Sequence, residues 1–239
     1  MRFIAVIPAR YSSTRYPGKA LAILAGKPII QHVYEASVNS GQFDTVIIAT
    51  DDERIAQAAH SFGGQVCMTS PTHKSGSDRI AEVVRDLECD IVFNVQGDEP
   101  FITKEPLAAL KEVFHDPKVE VASLMHSMAD REDIENPNNV KVVFDSIRNA
   151  LYFSRSVIPY DRDKVESVTY WKHVGIYAYR KETLLQFVTL PQGRLEKSES
   201  LEQLRLLENG ITIRMVKTNY KGIGIDTPED LEQAIKFIG

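Results

Sequence analysis

Residues 8–19 read Pro-Ala-Arg-Tyr-Ser-Ser-Thr-Arg-Tyr-Pro-Gly-Lys and follow directly on the apolar run Phe3-Ile4-Ala5-Val6-Ile7. A short buried strand therefore runs into a loop rich in cations and hydroxyls. Loops after the first strand of an open α/β sheet are where such folds hold phosphates. Arg10, Arg15 and Lys19 carry enough charge to neutralise a triphosphate, and Gly18 lets a backbone come close to it. Standing alone, the stretch reads equally well as a solvated basic loop.

A second constellation follows the apolar run Ile91-Val92-Phe93-Asn94-Val95, which ends in Gln96-Gly97-Asp98-Glu99-Pro100. A carboxylate at the carboxyl end of a strand is well placed for Mg²⁺, which takes one or two carboxylates plus phosphate oxygens. Gly, Asp and Pro are also turn residues, so a plain turn competes with that reading. Asp226, in Gly224-Ile225-Asp226-Thr227-Pro228, is a second carboxylate that equally suits the approach to a capped helix. Only folding can bring Asp98 and Asp226 together.

Three further stretches carry usable groups. His73-Lys74-Ser75-Gly76-Ser77-Asp78-Arg79 joins a strand to a helix, with Ser77 the expected N-cap and His73 an ordinary surface or packing histidine. Tyr152-Phe153-Ser154-Arg155 and His173-Val174-Gly175-Ile176-Tyr177 fall on expected strands, the latter placing His173, Gly175 and Tyr177 on one face. Glu199–Glu208 reads as one amphipathic helix carrying Glu202 and Gln203. Ordinary sheet and helix structure explains each of these equally well. Neither G-x-x-x-x-G-K-[ST] nor an early G-x-G-x-x-G is present, since Ala20 follows Gly18-Lys19. A P-loop NTPase and a dinucleotide dehydrogenase are thereby disfavoured.

The elements that must position these groups alternate in the first half. Strands are expected at Phe3–Ile7, Thr45–Ala49, Gln65–Met68 and Asp90–Val95, with helices at Pro28–Val38, Glu53–Phe62 and Asp78–Leu87. Pro28 suits a first helical turn, and Gly41 and Gly63 suit helix ends. Such alternation implies a parallel sheet covered on both faces. After residue 118 the runs Val119–Met128, Val140–Asp145, Leu151–Ser154 and Trp171–Tyr179 follow with few helices between them, which implies antiparallel strands. Residues 159–170 are polar and read as a loop that orders on binding, and Ile211–Val216 reads as a strand. Thr227 and Pro228 are the expected N-cap and first turn of a last helix. The expected organisation is a nucleotide-binding half, 1–118, packed as one domain with a sugar-binding and dimerisation half, 119–239.

Bulk properties narrow the partners. The chain has 239 residues, 43% of them hydrophobic, and a formal net charge of −5. A local cationic loop in an acidic protein suits a small anionic substrate, and disfavours nucleic acid or an anionic membrane. Cys67 and Cys89 stand outside any CxxC pair, so free buried thiols are expected and a zinc site is not. The first apolar run is five residues long and no run approaches a membrane span, so a cytoplasmic protein is expected.

Taken together, seven stretches resemble those of the 3-deoxy-manno-octulosonate (Kdo) cytidylyltransferases, the CMP-Kdo synthetases. They are Ile7–Lys19, His73–Gly76, Val95–Pro100, Tyr152–Arg155, His173–Tyr177, Glu199–Arg205 and Gly224–Leu231, in the family's order and spanning nearly the whole chain. The resemblance implies an α/β nucleotide-diphospho-sugar transferase fold, a mostly parallel, Rossmann-like sheet with an antiparallel α+β extension, and usually a homodimer. It implies that CTP and a Kdo-type acid sugar give the CMP-sugar and pyrophosphate, in lipopolysaccharide synthesis. By motif, Arg10, Arg15 and Lys19 would hold the triphosphate, Ser75, Gly76 and Arg79 would line the cytidine, and Gln96 would lie between nucleotide and sugar. Asp98 and Asp226 would bind Mg²⁺, with Arg15 and Lys19 sharing in catalysis. Arg155, His173, Tyr177, Glu202 and Gln203 would face the sugar acid, with Arg155 and protonated His173 the candidates for its carboxylate. Tyr16 stands where the family commonly has an apolar residue such as Leu, and Ile225 where it has Val. Sialic acid or 8-amino-Kdo as the sugar, and a non-catalytic nucleotide-binding regulator, remain open alternatives.

Overall fold

Strand β1 (Phe3–Ala9) is the axis of the protein, and its alternation decides where the two cores lie. Phe3, Ala5, Ile7 and Ala9 face one core, while Ile4 and Val6 face the other. That is the two-residue period of a strand covered on both sides. Full burial of one Val or Ile stabilises by about 1.5–3 kcal/mol, so a strand that buries nearly every side chain is a principal stabilising element. The computed structural model describes residues 1–12, 15–163, 168–222 and 224–238.

After β1 come a two-residue hairpin, β2 (Ile23–Leu24) and β3 (Lys27–Pro28), then α1 (Ile29–Asn39), β4 (Thr45–Thr50), α2 (Glu53–Ser61), β5 (Val66–Met68), α3 (Gly76–Val84) and β6 (Ile91–Asn94). Helix α4 (Lys104–Glu112) leads to β7 (Val121–Met128), followed by α5 (Arg131–Glu135), β8 (Lys141–Phe144), β9 (Ala150–Ser154) and β10 (Tyr170–Arg180). The chain closes with α6 (Lys181–Phe187), α7 (Arg194–Glu199), α8 (Leu204–Glu208), β11 (Ile213–Lys217) and α9 (Pro228–Ile238).

One sheet takes strands from both halves of the chain in the order β11-β7-β10-β6-β1-β4-β5, with β8 and β9 branching from β10. Strands β6, β1, β4 and β5 run parallel. Strand β10 is antiparallel to both β6 and β7, and β11 returns parallel to β7. The expected parallel sheet with an antiparallel extension is therefore present. Helices α1, α2 and α4 cover one face and α3, α6 and α8 the other. Among the described residues no helix is long and apolar enough to cross a membrane.

The chain leaves β1 toward β4 on one side and returns to β6 on the other, so β1 and β6 are neighbours whose following loops diverge. That is the switch point at which open α/β sheets bind ligands. The two strand ends come together closely. A Cβ on Gly97 would lie 3.0 Å from the Pro8 carbonyl oxygen.

Several expectations need correction. Helices α4, α5 and α6 lie in stretches that had no expected helix, and α7 occupies residues before the expected start at Glu199. The expected helix Glu199–Glu208 is broken, because Ser200 adopts a left-handed φ of 52° and ends α7. The N-cap of α3 is Ser75, whose side chain accepts from the Asp78 N–H while the Asp78 carboxylate accepts from Ser75. Ser77 lies inside the helix, and its hydroxyl donates to Glu202 instead. Of the expected loop 159–170, residues 164–167 lie outside the described residues, as do Ser13, Thr14 and Ile223.

A Gly97→Ala substitution must push apart the ends of β1 and β6. Overpacking of this kind costs about 1–3 kcal/mol. A lower denaturant midpoint with an unchanged m-value is the expected result.

Candidate functional site

A cavity of about 340 Å³ opens at the carboxyl ends of β1 and β6. It is lined by Arg10, Arg15, Lys19, Ser75, Gly76, Arg79, Gln96, Asp98 and Asp226, together with Pro8, Ala9, His73 and Lys74. Nine residues expected to touch metal or nucleotide thus surround one space. Next to it lies a wider cavity of about 760 Å³ bordered by Glu202, Arg205, Asp78, Glu196 and Gln192. Arg10, Lys74 and Ser75 line both. Lys74 is the lining cation that sequence reasoning passed over, although it stands between His73 and Ser75 in a motif already singled out.

The two distant carboxylates converge on one ammonium. Lys19 Nζ donates to Asp98 Oδ2 at 2.6 Å and to Asp226 Oδ1 at 2.8 Å, and Arg15 Nη2 donates to Asp226 Oδ2 at 2.8 Å. Burial pushes the Lys19 ammonium down, but the charge of Asp98 and the hydrogen bonds to both carboxylates raise it above its ordinary value. Burial pushes the Asp226 carboxyl up, and Lys19 with Arg15 more than reverses this, leaving it below the usual carboxylate range.

Two carboxylates that share one cation position are a hard, oxygen-only donor set. Among the described residues no group of three His, Cys, Asp or Glu side chains is arranged to hold a metal. Two carboxylates still suit Mg²⁺, which keeps water and takes substrate phosphates for its remaining positions. The residues therefore fit that ion when phosphates are present.

Local structure fixes the other groups. Gly18 has φ +75° and its N–H donates to the Tyr11 carbonyl at 2.8 Å. A Cβ at Gly18 would lie 3.1 Å from the Tyr11 ring, so the absence of a side chain there lets the loop close on that ring. The Arg54 guanidinium lies 3.3 Å from the Tyr11 ring centroid on the other part of this clamp. Gly76 begins α3 against Pro8. Arg79 is buried, hydrogen-bonded to Thr69 and paired with Asp51 at 3.2 Å. His73 is hydrogen-bonded to Glu82. Gln96 donates to the Gly175 carbonyl at 3.0 Å and to Asn94 Oδ1 at 3.2 Å, tying the β6 turn to β10.

The expected sugar-side residues are less uniform. The His173 ring lies between those of Phe153 and Tyr177, and its Nε2 meets Ser123 Oγ at 2.9 Å. Burial lowers its pKa to about 3, which favours the neutral ring in this arrangement. A bulge in the pairing of β10 with β7 falls between Val174 and Tyr177. Tyr177 is buried, and burial raises its phenol well above the ordinary value. Burial raises the Glu202 carboxyl, although bonds from Ser77 and Ser75 and the charge of Arg205 oppose the shift. Gln203 is buried in the turn between α7 and α8.

Arg155 does not reach either cavity. Its guanidinium donates to the carbonyls of Glu199 at 2.7 Å, Pro137 at 3.2 Å and Ser200 at 3.4 Å. Three of its five N–H groups are used there, at the end of α7 and at Pro137.

With this geometry described, similarity to known proteins is informative. A family model described as cytidylyltransferase matches residues 4–213. The 3-deoxy-manno-octulosonate cytidylyltransferase of Flavobacterium johnsoniae is 54% identical over 98% of this chain and 97% of its own. The chain belongs to the 3-deoxy-manno-octulosonate cytidylyltransferase family. Its relative of the same name from Thermodesulfovibrio yellowstonii is 52% identical over 98% of this chain and 97% of its own. A solved structure described as a CMP:2-keto-3-deoxy-manno-octonic acid synthetase complexed with CTP superimposes with a TM-score of 0.94 at 46% identity, covering 100% of this chain and 98% of that one. A 4-diphosphocytidyl-2C-methyl-D-erythritol synthase from Anaerococcus prevotii, 14% identical with a TM-score of 0.66, covers 99% of this chain and 98% of its own and shares the fold.

Two predictions rest on the electrostatics of this family member. Lys19→Met leaves two close carboxylates facing each other, costing on the order of 2 kcal/mol of unfolding free energy at neutral pH. Asp226 is held ionised in the native state, so its contribution is present at neutral pH and is lost as pH falls through its lowered pKa. The gap between parent and Lys19→Met should therefore narrow as pH falls below 4, measured by denaturant unfolding across pH. His173 has the same sign over a higher pH window, because its unfolded form also takes up protons first. Stability should fall as pH drops from about 6.5 toward 3, and His173→Gln should fall less over the same range.

Proposed function

We propose that this protein transfers a cytidylyl group from CTP to 3-deoxy-manno-octulosonate, giving CMP-Kdo and pyrophosphate. The observation that carries the reading is the convergence of Asp98 and Asp226 on one cation position inside a cavity lined by Arg10, Arg15 and Lys19. Full-length relatives named for this activity, and the fit to a synthetase solved with CTP, support the choice of nucleotide and sugar.

The reaction follows from the groups present. The anomeric hydroxyl oxygen of the sugar forms a bond to the α-phosphorus of CTP. The bond from that phosphorus to the bridging oxygen breaks, pyrophosphate leaves with the electron pair, and the hydroxyl proton is released. Such chemistry asks the protein for alignment and charge stabilisation more than for covalent work. Arg15 and Lys19 are the cations for the leaving pyrophosphate, and Arg10 adds charge at the cavity mouth. Pro8, Ser75, Gly76 and buried Arg79 form the cytidine side. Asp98 and Asp226 would hold Mg²⁺, which supplies charge neutralisation across phosphate oxygens and polarises a bound hydroxyl. On the sugar side the reading places Gln96, neutral His173, Tyr177, Glu202 and Gln203 as hydrogen-bonding groups. Arg155 is tied to the end of α7 and keeps two further N–H groups that an acid can take. We read the protein as a homodimer, supported by exposed apolar Ile147, Leu151 and Tyr160 at and beyond the β8–β9 hairpin.

The test is a pyrophosphate-release assay with CTP against the other nucleoside triphosphates and a panel of acid sugars. Release is expected with CTP and Kdo, dependent on Mg²⁺. Release only with sialic acid or 8-amino-Kdo would change the substrate, and none with any sugar would favour a regulator. Asp98→Ala and Asp226→Ala should each abolish turnover. Activity within about threefold of the parent, less than 1 kcal/mol of barrier, would overturn the two-carboxylate reading.

A further inference from the structure

We propose that Tyr220 and Glu99 are positioning residues for Asp226. Their hydrogen bond anchors the segment after β11 on the Asp98 turn and so aims one carboxylate at the other. This rests on the reading of Asp226 as a ligand-binding carboxylate.

Asp226 faces a problem of reach. It lies beyond β11, at the far edge of the sheet from β1, yet must meet Asp98 at the end of β6. Residues 218–222 and 224–226 lead back toward the Asp98 turn, and among these described residues there is no helix or strand. Backbone and side-chain bonds must therefore fix the aim of the carboxylate.

Among the described residues two bonds hold this segment to the Asp98 turn. The Ile225 N–H donates to the Asp98 carbonyl at 2.9 Å. The Tyr220 hydroxyl donates to Glu99 Oε2 at 2.7 Å. The two pairs sit on adjacent residues of the turn, so the segment is tied at both of its ends. On the other side of Asp226, the Asp230 carboxylate accepts from the N–H groups of Asp226 and Thr227, and Thr227 Oγ1 accepts from the Asp230 N–H. Asp226 is thus held between a helix cap and the Tyr220–Glu99 bond.

Glycine use in the segment fits the same role. Gly222 has φ +58°, and a Cβ there would lie 3.2 Å and 3.3 Å from the two Glu99 carboxylate oxygens. At Gly224 it would lie 3.6 Å from Glu99 Oε1. The backbone at Gly222 approaches the Glu99 carboxylate more closely than a side chain there would readily allow, and Gly224 lies in ordinary contact with it. Glu99 does not line the nucleotide cavity. Its contribution is made through the loop. Loss of the phenol hydroxyl should spare the fold, because Ile225 stays fully buried and Phe101 stays edge-on to Phe237 at 5.3 Å.

Tyr220→Phe keeps the ring and removes only the donor. Outer contacts of this kind are typically worth 10–100-fold in affinity or activity. The variant should lose about tenfold in kcat with KM for CTP within about twofold of the parent. Mn²⁺ binding by the full-length protein with CTP, read by electron paramagnetic resonance, should weaken about tenfold. Hydrogen exchange at the Ile225 amide should speed up about tenfold while thermal melting stays within a few degrees. Glu99→Gln, which keeps an acceptor for the phenol, should retain most of each property, and Glu99→Ala should behave as Tyr220→Phe. Parent-like Mn²⁺ affinity and Ile225 exchange in Tyr220→Phe would overturn the proposal, and so would an equal loss in Glu99→Gln. Ile225 exchange does not depend on what Asp226 binds. Parent-like Mn²⁺ binding in Asp226→Ala would therefore sink the ligand reading separately from the anchoring.

Discussion

The Lys19 ammonium between Asp98 and Asp226 is the contact that brings three separate parts of the chain to one point. The hydrogen bonds span 79 and 207 residues. They join the loop after β1, the turn after β6 and the approach to α9. Two carboxylates this close repel unless a cation stands between them. The protein supplies that cation from its own first loop, and Arg15 adds a second from the same loop. A divalent ion arriving with a nucleotide would meet a site whose charge is already balanced. Lys19 would then be free to turn toward phosphate oxygens that arrive with the metal. One residue thus stabilises the ligand-free arrangement and remains available to the ligand.

Much of the first half could be read from residue order. The continuous apolar runs at Phe3–Ile7 and near 45 and 91 specify buried parallel strands. Ligand placement at their carboxyl ends follows from the topology. Arg10, Arg15, Lys19, Gln96 and Asp98 therefore fall where their position in the sequence suggests. Asp226 was legible only as a motif, since nothing local says which strand end it will meet. The cap of α3 was misplaced because Ser75 and Ser77 both precede an apolar run. The reciprocal Asp78 bond, a three-residue relation, selects Ser75.

The second half resisted for a different reason. Helix α4, at the end of the first half, was already a case of this kind: it opens on Lys104-Glu105-Pro106, whose proline falls in the first turn, where it does not disrupt the helix. Helix α6 follows β10 without a break in the sequence texture. The helix expected over Glu199–Glu208 ends at Ser200 because the Glu199 carboxylate is taken by Ser154 Oγ and the Arg155 N–H. Arg155 is claimed by the same junction. Its charge suggested an acid partner, and three of its five donors meet backbone carbonyls. Tertiary hydrogen bonds between distant segments decide these cases, and single-residue patterns do not contain them.

The reversed direction of β10 divides the protein into two functional ends. At the carboxyl end of β6, Gln96 reaches the middle of β10. At the opposite end Arg180 pairs with Ile91, Ile91 pairs with Phe3, and the Lys181 N–H meets the Asp90 carbonyl beside residue 1. The chain start therefore sits at the pole of the sheet away from the cavity. A surface tether joined at residue 1 would leave the mouth of the cavity pointing into solution, so the geometry of the sheet itself orients an immobilised protein.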